Sequence, residues 1–228
     1  RAGYRPYRAA YRRLHRFKTS GIADVPTIPP IAMHTRRRIA LMGGSFNPVH
    51  IGHLMVADYV RQAARLDEVL MCVSPLNPLK AGNTDLASDS DRMAMLRLAC
   101  RRSEGVTACD IELTMPRPSY TVDTLRLLAQ RFPDADISII IGSDNWLVFD
   151  KWRDSDEIIR RFGVIIYPRP GYDVDAKSLP DNVTIIDAPT VDLSSTFLRR
   201  KLAEGFDMNI FMPDGVYNYI KTQKLYGT

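Results

Sequence analysis

The chain lacks the marks of several large functional classes. No apolar run approaches the ~20 residues that span a bilayer, and the densest stretch, Ile137 to Ile141, has the length of a buried strand. No G-x-x-x-x-G-K-[ST] string is present, which excludes a P-loop kinase. Cysteine is scarce: Cys72, Cys100 and Cys109 are odd in number, far apart and never in Cys-x-x-Cys. They read as reduced core residues of a cytoplasmic protein rather than as disulfides. Nothing in the body is repeated or of low complexity.

What is present is an ordinary globular composition, 45% hydrophobic and 25% charged over 228 residues. That length can bury a sizeable core, most simply in one domain with an extension. The net charge of +5 invites a nucleic-acid reading, but the charge is unevenly placed. Residues 1–38 hold ten of the 31 Lys and Arg and a single acidic residue, Asp24. The remainder has 21 basic and 25 acidic residues, so the body is mildly acidic and no nucleic acid or membrane partner is expected for it.

The division expected is a basic, disordered leader over 1–36 and a single domain over 37–228. Arginine content makes the leader similar to an organellar transit peptide. A second reading takes Met33 as the working start and the preceding residues as a disposable tail, and this is the one favoured. Its prolines at 26, 29 and 30 break any helix.

Beyond the leader, apolar runs alternate with helical spacing. Strands are predicted at 39–42, 68–73, 106–114 (a strand or bent pair), 137–141, 164–167 and 183–186. Helices are predicted from Leu54, over 91–100 with Ser88 or Ser90 as cap, over 120–132 capped by Ser119, and over 154–161, 195–203 and 213–221. Such alternation implies a mainly parallel, doubly wound sheet. Ligands bind beyond the carboxyl ends of strands in such sheets.

The most informative stretch lies there. Residues 43–53 read Gly-Gly-Ser-Phe-Asn-Pro-Val-His-Ile-Gly-His, between a strand and a helix start. Glycines let backbone approach an oxyanion, and free N–H groups at a helix start carry partial positive charge. His50 and His53, three apart, share one face of the first turn and can both donate to one phosphate chain. Neither has a carboxylate or cysteine at metal-ligand spacing, so no protein metal site is expected.

This string resembles the nucleotidyltransferase superfamily of the G-[ST]-F-[ND]-P-x-H-x-G-H type, and within it the bacterial nicotinate mononucleotide adenylyltransferases. The resemblance spans about residues 37–228. Further matching pieces are Pro118-Ser119-Tyr120-Thr121 with Thr124-Leu125, then Ile141-Gly142-Ser143-Asp144 with Trp152. Arg169-Pro170-Gly171-Tyr172 and Ser194-Ser195-Thr196 with Leu198-Arg199 complete it. It implies a Rossmann-like α/β fold with helices on both faces of the sheet. The implied reaction is ATP plus nicotinate mononucleotide giving deamido-NAD and pyrophosphate, with Mg²⁺ carried mainly by the ATP phosphates. A homo-oligomer is left open.

The resemblance also implies site roles. His50, His53 and Arg199 would serve catalysis, and Gly43, Gly44, Ser45 and Phe46 would bind ATP phosphates. Ser194, Ser195 and Thr196 would meet the β- and γ-phosphates, their plainer reading being an ordinary helix cap. Gly142 and Asp144 would suit the adenosine ribose, with a helix cap as the alternative for Asp144. Trp152 would stack on the pyridine ring, or else be a core tryptophan. Tyr120, Thr121 and the backbone at Arg153 resemble groups that select nicotinate over nicotinamide. Asn77, Lys80 and Arg169 would contact phosphate or the mononucleotide; Leu79 stands where many relatives carry histidine before the basic residue. Rivals are a nicotinamide mononucleotide or phosphopantetheine adenylyltransferase and a non-catalytic nucleotide-binding module. A class I aminoacyl-tRNA synthetase fragment would need a Lys-Met-Ser-Lys-Ser-like loop, which is missing.

Overall fold

A computed structural model describes residues 36–75 and 86–228. The leader over 1–35, with Met33, and the residues Asn77 and Lys80 lie outside the described residues.

Six strands form one sheet, all parallel: β1 (Arg37–Gly44), β2 (Glu68–Val73), β3 (Val106–Cys109), β4 (Ala135–Gly142), β5 (Val164–Tyr167) and β6 (Val183–Ile185). Their order is β3-β2-β1-β4-β5-β6. The sheet therefore grows outward in both directions from β1 and β4, and a crevice opens where the order reverses, beyond the last residues of those two strands. Gly44 ends one and Gly142 ends the other. This is a Rossmann-like doubly wound fold, and it is wholly rather than mainly parallel.

The period of two along each strand supplies a core to both faces. Ala40 and Met42 point to one side with Val69, Met71 and Val73, while Ile39 and Leu41 point to the other with Leu70, Ile137 and Ile139. On the first face pack α1 (Ile51–Ala63), α2 (Asp89–Cys100), α6 (Ser195–Ala203) and α7 (Val216–Thr222). The second face takes α3 (Thr121–Arg131) and the segment from α5 (Ser155–Glu157) into a π-turn over Ile158–Phe162. A short α4 (Ser143–Trp146) follows β4 directly. Among the described residues, no helix is long and apolar enough to cross a membrane.

Two expectations need correcting. The strand over 106–114 stops at Cys109 and gives way to a 3₁₀ turn over Ile111–Thr114. Its only sheet neighbour is β2, whose Cys72 faces Cys109 and whose ladder ends one residue later, so a longer strand would have nothing to pair with. Ser119 does not cap α3; Tyr120 holds that position without a side-chain bond, and the Ser119 hydroxyl turns to Glu112 instead. Ser88, rather than Ser90, caps α2, accepting from the Asp91 N–H.

The loops above the sheet are tied together by one cation. Arg92 on α2 is fully buried, with 0% exposure. Its guanidinium donates to the carbonyls of Ser45 (2.8 Å), Ser74 (2.9 Å) and Ala87 (3.1 Å) and pairs with the Asp89 carboxylate. Those carbonyls belong to the loops after β1 and β2 and to the residue before the α2 cap. A neutral replacement leaves three part-buried carbonyls without their donor and Asp89 with Arg117 as its remaining partner, so Arg92→Met is expected to lower unfolding free energy by about 3 kcal/mol. Urea denaturation measures it, and a loss under about 1 kcal/mol would mean the loops hold without the clamp.

Candidate active site

A cleft of about 750 Å³ opens at the carboxyl ends of the strands, over the crevice between β1 and β4. Every described residue assigned from the sequence lines it. His50, His53, Arg199, Gly43, Gly44, Ser45 and Phe46 share the wall with Gly142, Asp144, Ser194, Ser195 and Thr196. Tyr120, Thr121, Trp152, Arg153 and Arg169 line it as well.

The loop after β1 is shaped by close contacts. A Cβ on Gly44 would lie 2.8 Å from the Phe46 ring, so only glycine lets that ring fold back under the loop. Phe46 has φ of +45°, a left-handed conformation costly for a bulky residue, and is buried. Its ring meets His53 edge-on, with centroids 5.0 Å apart.

His50 opens α1 as its N-cap. The two imidazoles stack with centroids 3.7 Å apart, 28° from coplanar. The His50 backbone N–H donates to His53 Nδ1 at 3.2 Å. An Nδ1 that accepts carries no proton, so the neutral ring keeps its hydrogen on Nε2. Burial, then the Arg169 cation, lowers the His50 pKa from 6.5 to about 4. His53 is held well below the usual range by burial, then by His50, then by Arg169. Both rings are thus neutral donors at pH 7.

The α6 helix closes the far side. Ser194 is its N-cap, accepting from the Phe197 N–H at 3.2 Å. Ser195 donates to the Pro48 carbonyl (2.8 Å) and Arg199 to the Asn47 carbonyl (2.9 Å). Ser194 therefore caps the helix while Ser195 and Arg199 tie its start to the histidine loop, and the rest of the Arg199 guanidinium borders the cleft.

At the β4 end, α4 is capped by Gly142, so Asp144 is in the first turn rather than at the cap. A Cβ on Gly142 would sit 2.3 Å from Asp144 Oδ1, so the carboxylate lies across a bare glycine. The Arg169 Nε approaches that oxygen at 3.7 Å and its Nη2 donates to the Tyr167 hydroxyl at 3.0 Å. Arg169 thus approaches Asp144 and is near enough to the histidines for its charge to act on them. Trp152 is half-buried against Phe149 (centroids 5.1 Å) and also lines the cleft, with its Nε1 buried and unpartnered.

Three residues escaped the sequence reading. Arg92 had a visible signal: with Met95, Leu96 and Ala99 it falls at the i, i+3, i+4, i+7 positions that face a core, and all four are buried. Glu112, 6% exposed, lines the cleft and was hidden inside the overlong strand. Tyr226 donates to Asn47 Oδ1 at 2.7 Å from 179 positions away, for which local patterning gives no sign.

A parallel sheet with a helix start, paired imidazoles and arginines around a crevice at its switch point defines a nucleotide-binding α/β protein that acts on phosphates. The profile described as cytidylyltransferase-like matches residues 41–201, and the chain belongs to that family. It is 44% identical over 191 residues, 84% of this chain and 94% of the relative, to a Bacteroides thetaiotaomicron protein named "Probable nicotinate-nucleotide adenylyltransferase". A Bacteroides fragilis protein of the same name is 43% identical, covering 82% and 93%. Among solved structures, the Plasmodium falciparum nicotinic acid mononucleotide adenylyltransferase complexed with NaAD superposes with a TM-score of 0.69 at 21% identity, covering 84% of this chain and 98% of that one. That likeness shows the fold.

The buried histidine has a measurable consequence. An unfolded His50 gains a proton near pH 6.5, whereas the folded one resists until about 4. Stability is therefore complete above that window and falls as pH drops through it, by about 3 kcal/mol from His50. Urea unfolding between pH 7 and pH 4 should show a smaller loss for His50→Gln than for the wild type. Equal losses would contradict a neutral buried ring.

Proposed function

We propose that this chain is a nicotinate-nucleotide adenylyltransferase of NAD biosynthesis. It joins the adenylyl group of ATP to nicotinate mononucleotide, giving nicotinate adenine dinucleotide (deamido-NAD) and pyrophosphate. The observation that carries the reading is the assembly of five separated sequence pieces around one cleft, and relatives 44% and 43% identical carry the same name.

The chemistry follows from the groups available. An oxygen of the mononucleotide phosphate attacks the α-phosphorus of ATP in line, and the bond to the bridging oxygen of pyrophosphate breaks. The attacking oxygen is already anionic, so no general base is required, and the protein's task is alignment and charge stabilisation. His53 Nε2–H, the His50 ring and the amides after Gly44 would donate to the triphosphate. Neutral donors in a desolvated wall stabilise growing negative charge without a proton changing hands. Arg199 would add a cation on the α6 side. Arg169, beside both Asp144 and the histidines, would serve the phosphate where the two substrates meet rather than the mononucleotide alone.

Gly142 and Asp144 would take the adenosine ribose, the carboxylate accepting from its hydroxyls. Trp152 would offer its free face to the pyridine ring, with Thr121 and the Arg153 backbone reading the ring carboxylate. A magnesium ion, held by phosphate oxygens and water, would screen the triphosphate charge. Buried free thiols at Cys72, Cys100 and Cys109 suit a reducing compartment such as the cytoplasm.

Pyrophosphate release from ATP, with nicotinate and nicotinamide mononucleotides compared, tests the assignment. Turnover with nicotinate and much weaker turnover with nicotinamide is expected; no dinucleotide from either would refute it. His53→Ala should lose about 10²–10³ in kcat with its circular dichroism intact. Trp152→Ala should raise the mononucleotide KM more than the ATP KM, and an unchanged mononucleotide KM would remove the stacking role.

A further inference from the structure

Glu112 is a buried carboxyl that the mechanism above does not use. Its side chain accepts from the hydroxyls of Ser119 (3.2 Å) and Thr124 (3.2 Å), and the Ser74 hydroxyl bonds it as well. Its backbone N–H bonds the Cys72 sulfur, which fixes it to β2. Among the described residues its three side-chain partners are neutral hydroxyls, and burial pushes its pKa up. A core could fill this volume with apolar atoms at lower cost. The carboxyl instead lines a cleft that, on our reading, admits an anionic substrate.

The partners come from three segments that meet at the cleft. Ser74 follows β2, Ser119 precedes α3, and Thr124 lies in the first turns of α3. The single Thr124 hydroxyl hydrogen is shared between Glu112 and the Tyr120 carbonyl at 3.3 Å, which brings the carboxyl beside the residue that starts the helix. Tyr120 has no side-chain cap of its own, and Arg153 lies over its ring at 4.8 Å. What fixes the start of α3 is therefore the bracket on Glu112, and Tyr120 and Thr121 beside it face the cleft.

We propose that Glu112 is a positioning residue for mononucleotide binding: through Ser119 and Thr124 it sets where Tyr120 and Thr121 meet the pyridine end of the substrate. The inference rests on the adenylyltransferase reading. Glu112 touches no substrate; it acts on the wall that does.

The test uses the full chain, with nicotinate mononucleotide titrated by calorimetry and both KM values taken from pyrophosphate release. Glu112→Ala leaves three hydroxyls without their acceptor. It should raise the mononucleotide Kd and KM about tenfold, with the ATP KM and kcat within about threefold. Glu112→Gln keeps a carbonyl acceptor and should recover most of that loss. Should Glu112→Ala fail to fold, a Ser119→Ala, Thr124→Val double variant removes the donors and must show the same selective rise. An unchanged mononucleotide Kd, or equal shifts for both substrates, overturns the proposal. A wild type that binds mononucleotide but releases no pyrophosphate would sink the activity while calorimetry still reads the Glu112 arm. A wild type that binds none overturns both.

Discussion

The contact between the His50 backbone N–H and His53 Nδ1 organises the site. It places a hydrogen-bond acceptor where a helix start would otherwise leave an orphan donor. It also fixes which nitrogen of His53 keeps its proton, stacks the second ring on the first, and turns two consecutive helical faces into one donor surface. Both rings are too poorly solvated to charge at neutral pH. This wall of the cleft therefore presents neutral dipoles, and the nearby Arg169 and Arg199 guanidiniums supply positive charge.

The loop before that contact is tied from several sides. Arg92 grips the Ser45 carbonyl from below, Ser195 and Arg199 grip Pro48 and Asn47 from α6, and Tyr226 reaches Asn47 from the end of the chain. Each is a donor meeting a backbone or amide oxygen that burial would otherwise leave costly. Three residues of this loop, Ser45, Asn47 and Pro48, are thereby held from the middle and the later part of the sequence. The far half of the cleft is built likewise, with Arg126 on α3 pairing to Asp154 and Glu157 across the segment that carries Trp152 and Arg153.

Much of this was legible beforehand because it is local. Strand and helix periods point to the doubly wound sheet, and the strand–glycine–helix order puts the histidine loop at its carboxyl edge. All the described residues singled out for the site do line one cleft. What escaped depends on partners distant in sequence. The end of β3 is set by where β2 stops, the true role of Ser119 by Glu112, and the link to Asn47 by a tyrosine at position 226. The double duty of Ser195 and Arg199, holding the loop as well as bordering the cleft, is of the same kind. A hydroxyl in a sequence offers a bond without saying who takes it.

The account stands or falls on the protonation of His53. Nitrogen-15 NMR of the histidine side chains at pH 7, with His53 assigned through His53→Gln, reads it directly. A neutral ring with the hydrogen on Nε2 and an unprotonated Nδ1 is the predicted result, persisting well below pH 6.5. An imidazolium at pH 7, or a hydrogen on Nδ1, would contradict it.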